Sequence, residues 1–188
     1  MPEPRPARRP EKAEPVAPVR PDAKMEALLK EAFAGFGATF GYAVDEVTVT
    51  VSRERIVEAC RLAKDDARLR FDYLRCLAVT EYGEYFQAMY ALFSTALGHK
   101  AMLKTNAPKD DAAIGSVTGV WRGADWHERE GAELFGVAFT GHPDLKHLLL
   151  FDDFLGKYPM RKDFPFEVTA DWTPENDRPW SRLPQEGP

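Results

Sequence analysis

The chain has 188 residues and a formal net charge of −5, and 44% of its residues are hydrophobic. That is enough apolar mass for one cored domain with tails, and the charge gives no electrostatic reason to expect nucleic acid or an anionic surface as partner. No apolar run reaches the roughly 20 residues that a membrane span needs. The best candidate, 145–155, is broken by His147, Asp152 and Asp153.

The opening MPEPRPARRP has no apolar segment for secretion, and with Glu present and Ser absent it does not suit an organelle transit peptide. A location on the cytosolic side is therefore expected. Two cysteines, Cys60 and Cys76, cannot supply the four ligands of an iron–sulfur cluster or a structural zinc; they read as buried reduced thiols.

Seven of the 15 prolines fall within residues 1–22, which read as a disordered, partly extended arm. Asp22 is placed to cap a helix in which Met25, Leu28, Leu29, Ala32, Phe33 and Phe36 share one face, with Gly35 and Gly37 as its stop. A short strand at 39–42 turns through Asp45 and Glu46 into a second, where Val47, Val49 and Val51 alternate with threonines. Ser52 is expected to cap a second helix with Ile56, Ala59, Cys60 and Ala63 as its apolar stripe. The runs 74–80 and 85–92, split at Gly83, predict a hairpin, and 100–105 adds a further strand after Gly98.

The order α-β-β-α-β-β-β predicts an α+β fold, a mixed sheet with helices packed on one face. The expected domain covers 23–140. Beyond it, 141–188 reads as extended chain carrying Trp172 and Trp180 in a Pro-rich tail, an arrangement suited to lying across another surface.

The densest chemistry lies in WHEREGAELFGVAFTGHPDLKHLLL, residues 126–150. Asp125 with Glu128 predicts a capping pair for a helix starting near Trp126 and ending at Gly136. At 100° per residue, Trp126, His127, Glu130, Gly131 and Leu134 fall on one side, and Glu128, Arg129, Ala132 and Glu133 on the other. Arg129 and Glu133 read as an i,i+4 pair. Glu130, beside Trp126 and Leu134, is expected to pair with Arg161 or Lys162; breaking a buried pair of that kind costs roughly 3–5 kcal/mol.

Catalytic templates fail here. His127-Glu128 starts a zinc-protease H-E-x-x-H, but position 131 is Gly. His142 and His147 are separated by Pro143, and adjacent helix carboxylates such as Glu128 and Glu130 normally form a solvated face. A metal-dependent hydrolase using His127, His142 and Glu130 is the remaining enzymatic reading. After Gly141 a short helix at 144–150 is followed by extended chain, in which interleaved charges and aromatics suit either a protein–protein contact or a lid over the domain's own sheet.

Glu128-Arg129-Glu130, Glu133, Leu134-Phe135, His142, Lys146 and Leu148-Leu149, followed by Met160-Arg161-Lys162-Asp163-Phe164-Pro165, resemble the signature of the complex I 30-kilodalton subunit family of NADH-quinone oxidoreductases. The resemblance implies a non-catalytic subunit of the peripheral arm that binds no cofactor itself. Flavin mononucleotide, iron–sulfur clusters and quinone would belong to its partners in a hetero-oligomer. Those partners would be the large quinone-site subunit, wrapped by the C-terminal chain, and the small cluster-bearing subunit, peripheral on the cytoplasmic face of the inner membrane. Related subunits of membrane-bound [NiFe] hydrogenases and ferredoxin-linked complexes leave the electron donor open.

Overall fold

A computed structural model describes residues 22–165. The first helix, α1 (Ala23–Ala32), begins where expected: Asp22 accepts the Lys24 N–H at 2.9 Å, and a Glu26–Lys30 pair (2.6 Å) staples its outer face. Gly37, at φ 63°, turns the chain into β1 (Thr39–Ala43), which pairs antiparallel with β2 (Glu46–Thr50). A single 3-10 turn, Arg53–Arg55, then leads into α2 (Ile56–Asp65). Ser52 therefore lies one turn too early to cap α2, and its side chain makes no capping bond; only its carbonyl accepts the Arg55 N–H.

The predicted hairpin is β3 (Tyr73–Glu81) with β4 (Tyr85–Phe93), and β5 (Lys100–Pro108) continues the antiparallel run. Strand order is β1-β2-β5-β4-β3, closed by the parallel pairing of β2 with β5, in which Val49 faces Leu103. Thr105 marks the end of that pairing by donating its buried hydroxyl to the Val51 carbonyl at 3.0 Å.

One face of the sheet carries the core. Phe86, Ala88, Tyr90 and Leu92 of β4, with Ala101, Leu103 and Ala107 of β5, are buried against Leu29 of α1 and Ile56, Ala59, Cys60 and Ala63 of α2. Each of the larger aliphatic and aromatic side chains contributes about 1.5–3 kcal/mol by leaving water. The opposite face, with Gln87, Met89, Lys104 and Asn106, stays partly or fully exposed. This is the α+β arrangement that the pattern of elements predicts.

Three elements complete the fold: β6 (Ala113–Gly115), α3 (Ala124–Phe135) and β7 (Ala138–Thr140). β6 and β7 form a separate two-stranded parallel sheet, so α3 is the crossover between them. Trp121 anchors the approach to α3 by donating its indole N–H to the Phe71 carbonyl at 3.0 Å. The expected helix at 144–150 does not form. That segment runs as bends, because most of its backbone bonds go to side chains of α3, and only Lys146 N–H bonds within it, to the Asp144 carbonyl.

Candidate functional site

Helix α3 lies against β3, and Gly131 sets the approach: a Cβ there would stand 2.7 Å from Val79 Cγ2 and 3.3 Å from the Phe139 ring. The contact with the sheet fixes which face is inward, and it is not the face expected. Ala124, Glu128, Gly131 and Glu133 are buried, whereas Trp126 is 67% exposed and the Glu130 side chain 46%. The wheel fails because it ranks residues by apolarity, and this helix buries two carboxylates.

Glu128 does not cap the helix. Gly123 is the N-cap and makes no side-chain bond, while Glu128 Oε1 reaches inward to accept the Val117 N–H at 2.7 Å. Burial pushes its carboxyl above the usual range, opposed by the polar groups of Ser116, the Val117 N–H and His142. It is not the solvated carboxylate that adjacent helix acids suggest.

Glu133 and Arg129 face the returning chain as a complementary pair of clamps, not as partners of each other. Glu133, 3% exposed, accepts the consecutive backbone N–H groups of Leu148 (2.9 Å), Leu149 (2.9 Å) and Leu150 (3.2 Å). Arg129 donates to the carbonyls just before them, Lys146 O at 2.9 Å and His147 O at 2.7 Å. Acceptor meets donors and donor meets acceptors, so two side chains replace the ladder that a strand neighbour would give.

The M-R-K-D-F-P element closes the other end of α3. Met160 N–H bonds the Leu134 carbonyl at 3.2 Å, and Arg161 Nε bonds the Phe135 carbonyl at 2.6 Å, which satisfies two of the helix's free C=O groups. The guanidinium also complements the helix's negative end and lies 4.2 Å from the Tyr158 ring and 5.1 Å from that of Phe86. Gly136, at φ 74°, permits this: any Cβ would collide with Arg161 and would lie 2.7 Å from Tyr158. Lys162 gives its backbone N–H to Glu81 at 2.6 Å, while Glu81 also pairs with Lys109. Asp163 is exposed.

Glu130 therefore pairs with neither Arg161 nor Lys162. Its ionisable contact among the described residues is the His127 ring, 3.9 Å away on the exposed side. His142 is fully enclosed and far from that face in its bonding. Its Nδ1 accepts the Asp144 N–H at 3.0 Å, which leaves the ring proton on Nε2, directed at Asp125 O (3.2 Å) and near Asp125 Oδ1 (3.3 Å). Among the described residues no group of three or more His, Cys, Asp or Glu is placed to hold a metal ion, so His127, His142 and Glu130 do not converge.

Leu134 and Phe135 are half-buried, with Phe135 edge-on to Phe86 at 6.3 Å. Lys146 points outward beside Asp144. Trp172 and Trp180 lie outside the described residues. Two clefts flank the clamps. One, of about 700 Å³, runs between the end of α3 and Leu145, Leu155 and Tyr158; the other, of about 410 Å³, is lined by Arg122, Trp126, Glu130 and Leu149. Around them Leu149 (59%), Phe151 (66%), Leu155 (66%) and Met160 (57%) project into solvent with Trp126.

Sequence reasoning missed Glu81, Val117 and Tyr158 as members of this cluster. The first sits at the last position of an apolar strand, where a charge signals a fixed partner; the other two carry no such signal.

Residues 49–170 match the family described as the respiratory-chain NADH dehydrogenase 30-kilodalton subunit. An NADH-quinone oxidoreductase subunit of Roseiflexus castenholzii is 36% identical over 146 residues, covering 76% of this chain and 81% of its own length. The like-named subunit of Geobacter sulfurreducens is 38% identical over 143 residues, covering 74% and 86%. A solved trypsin-resistant fragment (1-134) of Nqo5 superposes with a TM-score of 0.55 at 27% identity, covering 65% of this chain and 99% of the fragment. A chain of an archaeal membrane-bound sulfane sulfur reductase shares the fold at TM-score 0.65 and 22% identity, over 82% of this chain and 98% of that one. With Arg129, Glu133 and Arg161 of the signature clamping α3 to the chain that follows it, the sequence match and the shared fold agree: this chain belongs to the 30-kilodalton-subunit family of respiratory-chain NADH dehydrogenases.

Proposed function

We propose that the chain is a non-catalytic structural subunit in the peripheral arm of a proton-translocating NADH-quinone oxidoreductase of the complex I type. In this reading it supports electron transfer from NADH to quinone by holding the quinone-site subunits in place. One observation carries it: four of the signature side chains, Glu128, Arg129, Glu133 and Arg161, use their hydrogen-bonding capacity inside the chain, on the Val117, Lys146–Leu150 and Phe135 backbone groups, so they build a surface instead of presenting reactive groups. What that surface presents is apolar, with Trp126, Leu149, Phe151, Leu155 and Met160 each more than half exposed. A monomer normally avoids such a concentration of bare large side chains, and it fits a polypeptide partner.

The partners in this reading are the large quinone-site subunit and the small cluster-bearing subunit of the same complex, on the cytoplasmic side of the inner membrane. Among the described residues no helix is long and apolar enough to cross a membrane, so attachment runs through those partners. Flavin mononucleotide, iron–sulfur clusters and quinone are assigned to them. Affinity purification of the full chain from gently solubilised membranes, followed by identification of the recovered chains and assays with NADH, hydrogen and reduced ferredoxin as donors, tests this. The expected result is recovery with cluster-bearing subunits and NADH-dependent quinone reduction. Recovery of the chain alone overturns the structural-subunit reading; recovery with hydrogen- or ferredoxin-dependent activity overturns only the donor.

A further inference from the structure

The core between α2, β4 and α3 encloses three titratable side chains, Cys60, Tyr90 and Glu128, each 0% exposed. Glu128 has one bond, from the Val117 N–H to Oε1; its Oε2 and the Tyr90 hydroxyl are both buried without a partner in the chain. The contrast with Glu133 on the same helix is direct. Glu133 accepts three backbone N–H groups, a donor set suited to an ionised carboxylate, whereas Glu128 has one backbone donor, the Ser116 hydroxyl close by, and a second oxygen left without a partner in the chain. A carboxyl that keeps its proton avoids the cost of burying a charge with an unpartnered oxygen.

We propose that Glu128 carries its proton in the folded chain, into the range where exposed carboxylates have lost theirs, and that its ionisation as the pH rises loosens α3 from the sheet. The groups that face it are Asp125 on its own helix, which reinforces protonation, and His142 on the chain after β7, which opposes it. Cys60 of α2 and Tyr90 of β4 lie close by, and burial holds both in their neutral forms. The sign follows from the raised folded value. Stability from this group is complete below the ordinary glutamate value of 4.5 and is lost as the pH rises through the folded one. Surface acids such as Glu58 and Asp45, held low by Arg55 and Lys100, act in the opposite direction, stabilising above their ordinary values and losing that contribution as the pH falls.

The test is the stability of the purified full chain against denaturant from pH 4.5 upward, wild type beside Glu128→Gln. The amide mimics the protonated acid, so the variant is expected to match the wild type at the acid end and to gain on it progressively as the pH rises. A variant that loses ground to the wild type with rising pH overturns the proposal, since it means the charged form is the anchored one. If Glu128→Gln does not fold, the wild type decides. Infrared spectroscopy in heavy water should show a protonated-carboxyl band persisting after exposed carboxylates have ionised, and its absence overturns the proposal. Hydrogen exchange adds the conformational half. Relative to β4, protection of α3 amides is expected to fall roughly tenfold for each pH unit between the ordinary glutamate value of 4.5 and the folded one, the slope set by one proton, and to level off above it; a constant ratio across that window overturns the loosening.

Discussion

The sheet core and the segment 141–165 are both ordered on α3, but by different physics. On the sheet side the contact is close packing, with Gly131 letting the helix backbone approach Val79 and Phe139. On the other side the chain has almost no ladder of its own and is held by side chains: Glu133, Arg129 and Glu81 bond its backbone, and its own Arg161 reaches back to the Phe135 carbonyl of α3. The first kind of contact is distributed over many apolar atoms and tolerates substitution of similar volume. The second is concentrated in four side chains, each serving more than one backbone group or contact, and has no redundancy.

That difference ranks the expected effects. Glu133→Ala should cost the most, about 3 kcal/mol or more in urea denaturation, because three backbone N–H groups lose their acceptor together. It should open 145–165 to protease while leaving the sheet folded. Unfolding of the whole chain as one unit would instead merge the two regions.

Arg129→Ala should follow, at about 2 kcal/mol, through loss of two charge-assisted bonds to Lys146 and His147. Arg129→Lys should recover less than half, since an ammonium cannot span two carbonyls as the guanidinium fork does. On the packing side, Gly131→Ala should cost about 1 kcal/mol net. The clash with Val79 is partly offset by the better helix propensity of alanine, and thermal unfolding of the full chain reads the balance. Smallest of all, Glu130→Ala should change stability by less than about 0.5 kcal/mol, because its side chain is half exposed and its one ionisable contact among the described residues is the His127 imidazole at 3.9 Å. A loss of about 3 kcal/mol or more there would restore the buried pair with Arg161 that the wheel suggests.

The same contrast explains what could be read from the sequence. Alternation in β2, the stripe of α2 and the turn at Gly83 are signatures of burial, and burial leaves a period, so the α+β order and the hairpin are legible. The parallel pairing of β2 with β5 is not, because strands far apart in sequence carry no mark of their partner; nor are β6 and β7, three residues each. In α3 the period misleads. Glu128 and Glu133 look polar and face inward, while Trp126 looks apolar and faces out, each for a reason that lies in another segment. The family signature locates these residues without revealing their roles. On sequence alone Glu128 reads as a cap and Glu130 as the buried acid, whereas Glu128 anchors Val117 and Glu130 stands in solvent.

The most direct test of the clamp is hydrogen exchange at the Leu148, Leu149 and Leu150 amides of the free full-length chain, compared with Glu133→Ala. All three are expected to be protected in the wild type before any partner is present, and the variant to lose this protection while β4 keeps its own. Free exchange of these amides in the isolated wild-type chain would contradict it, showing that the segment is ordered by a partner and not by α3.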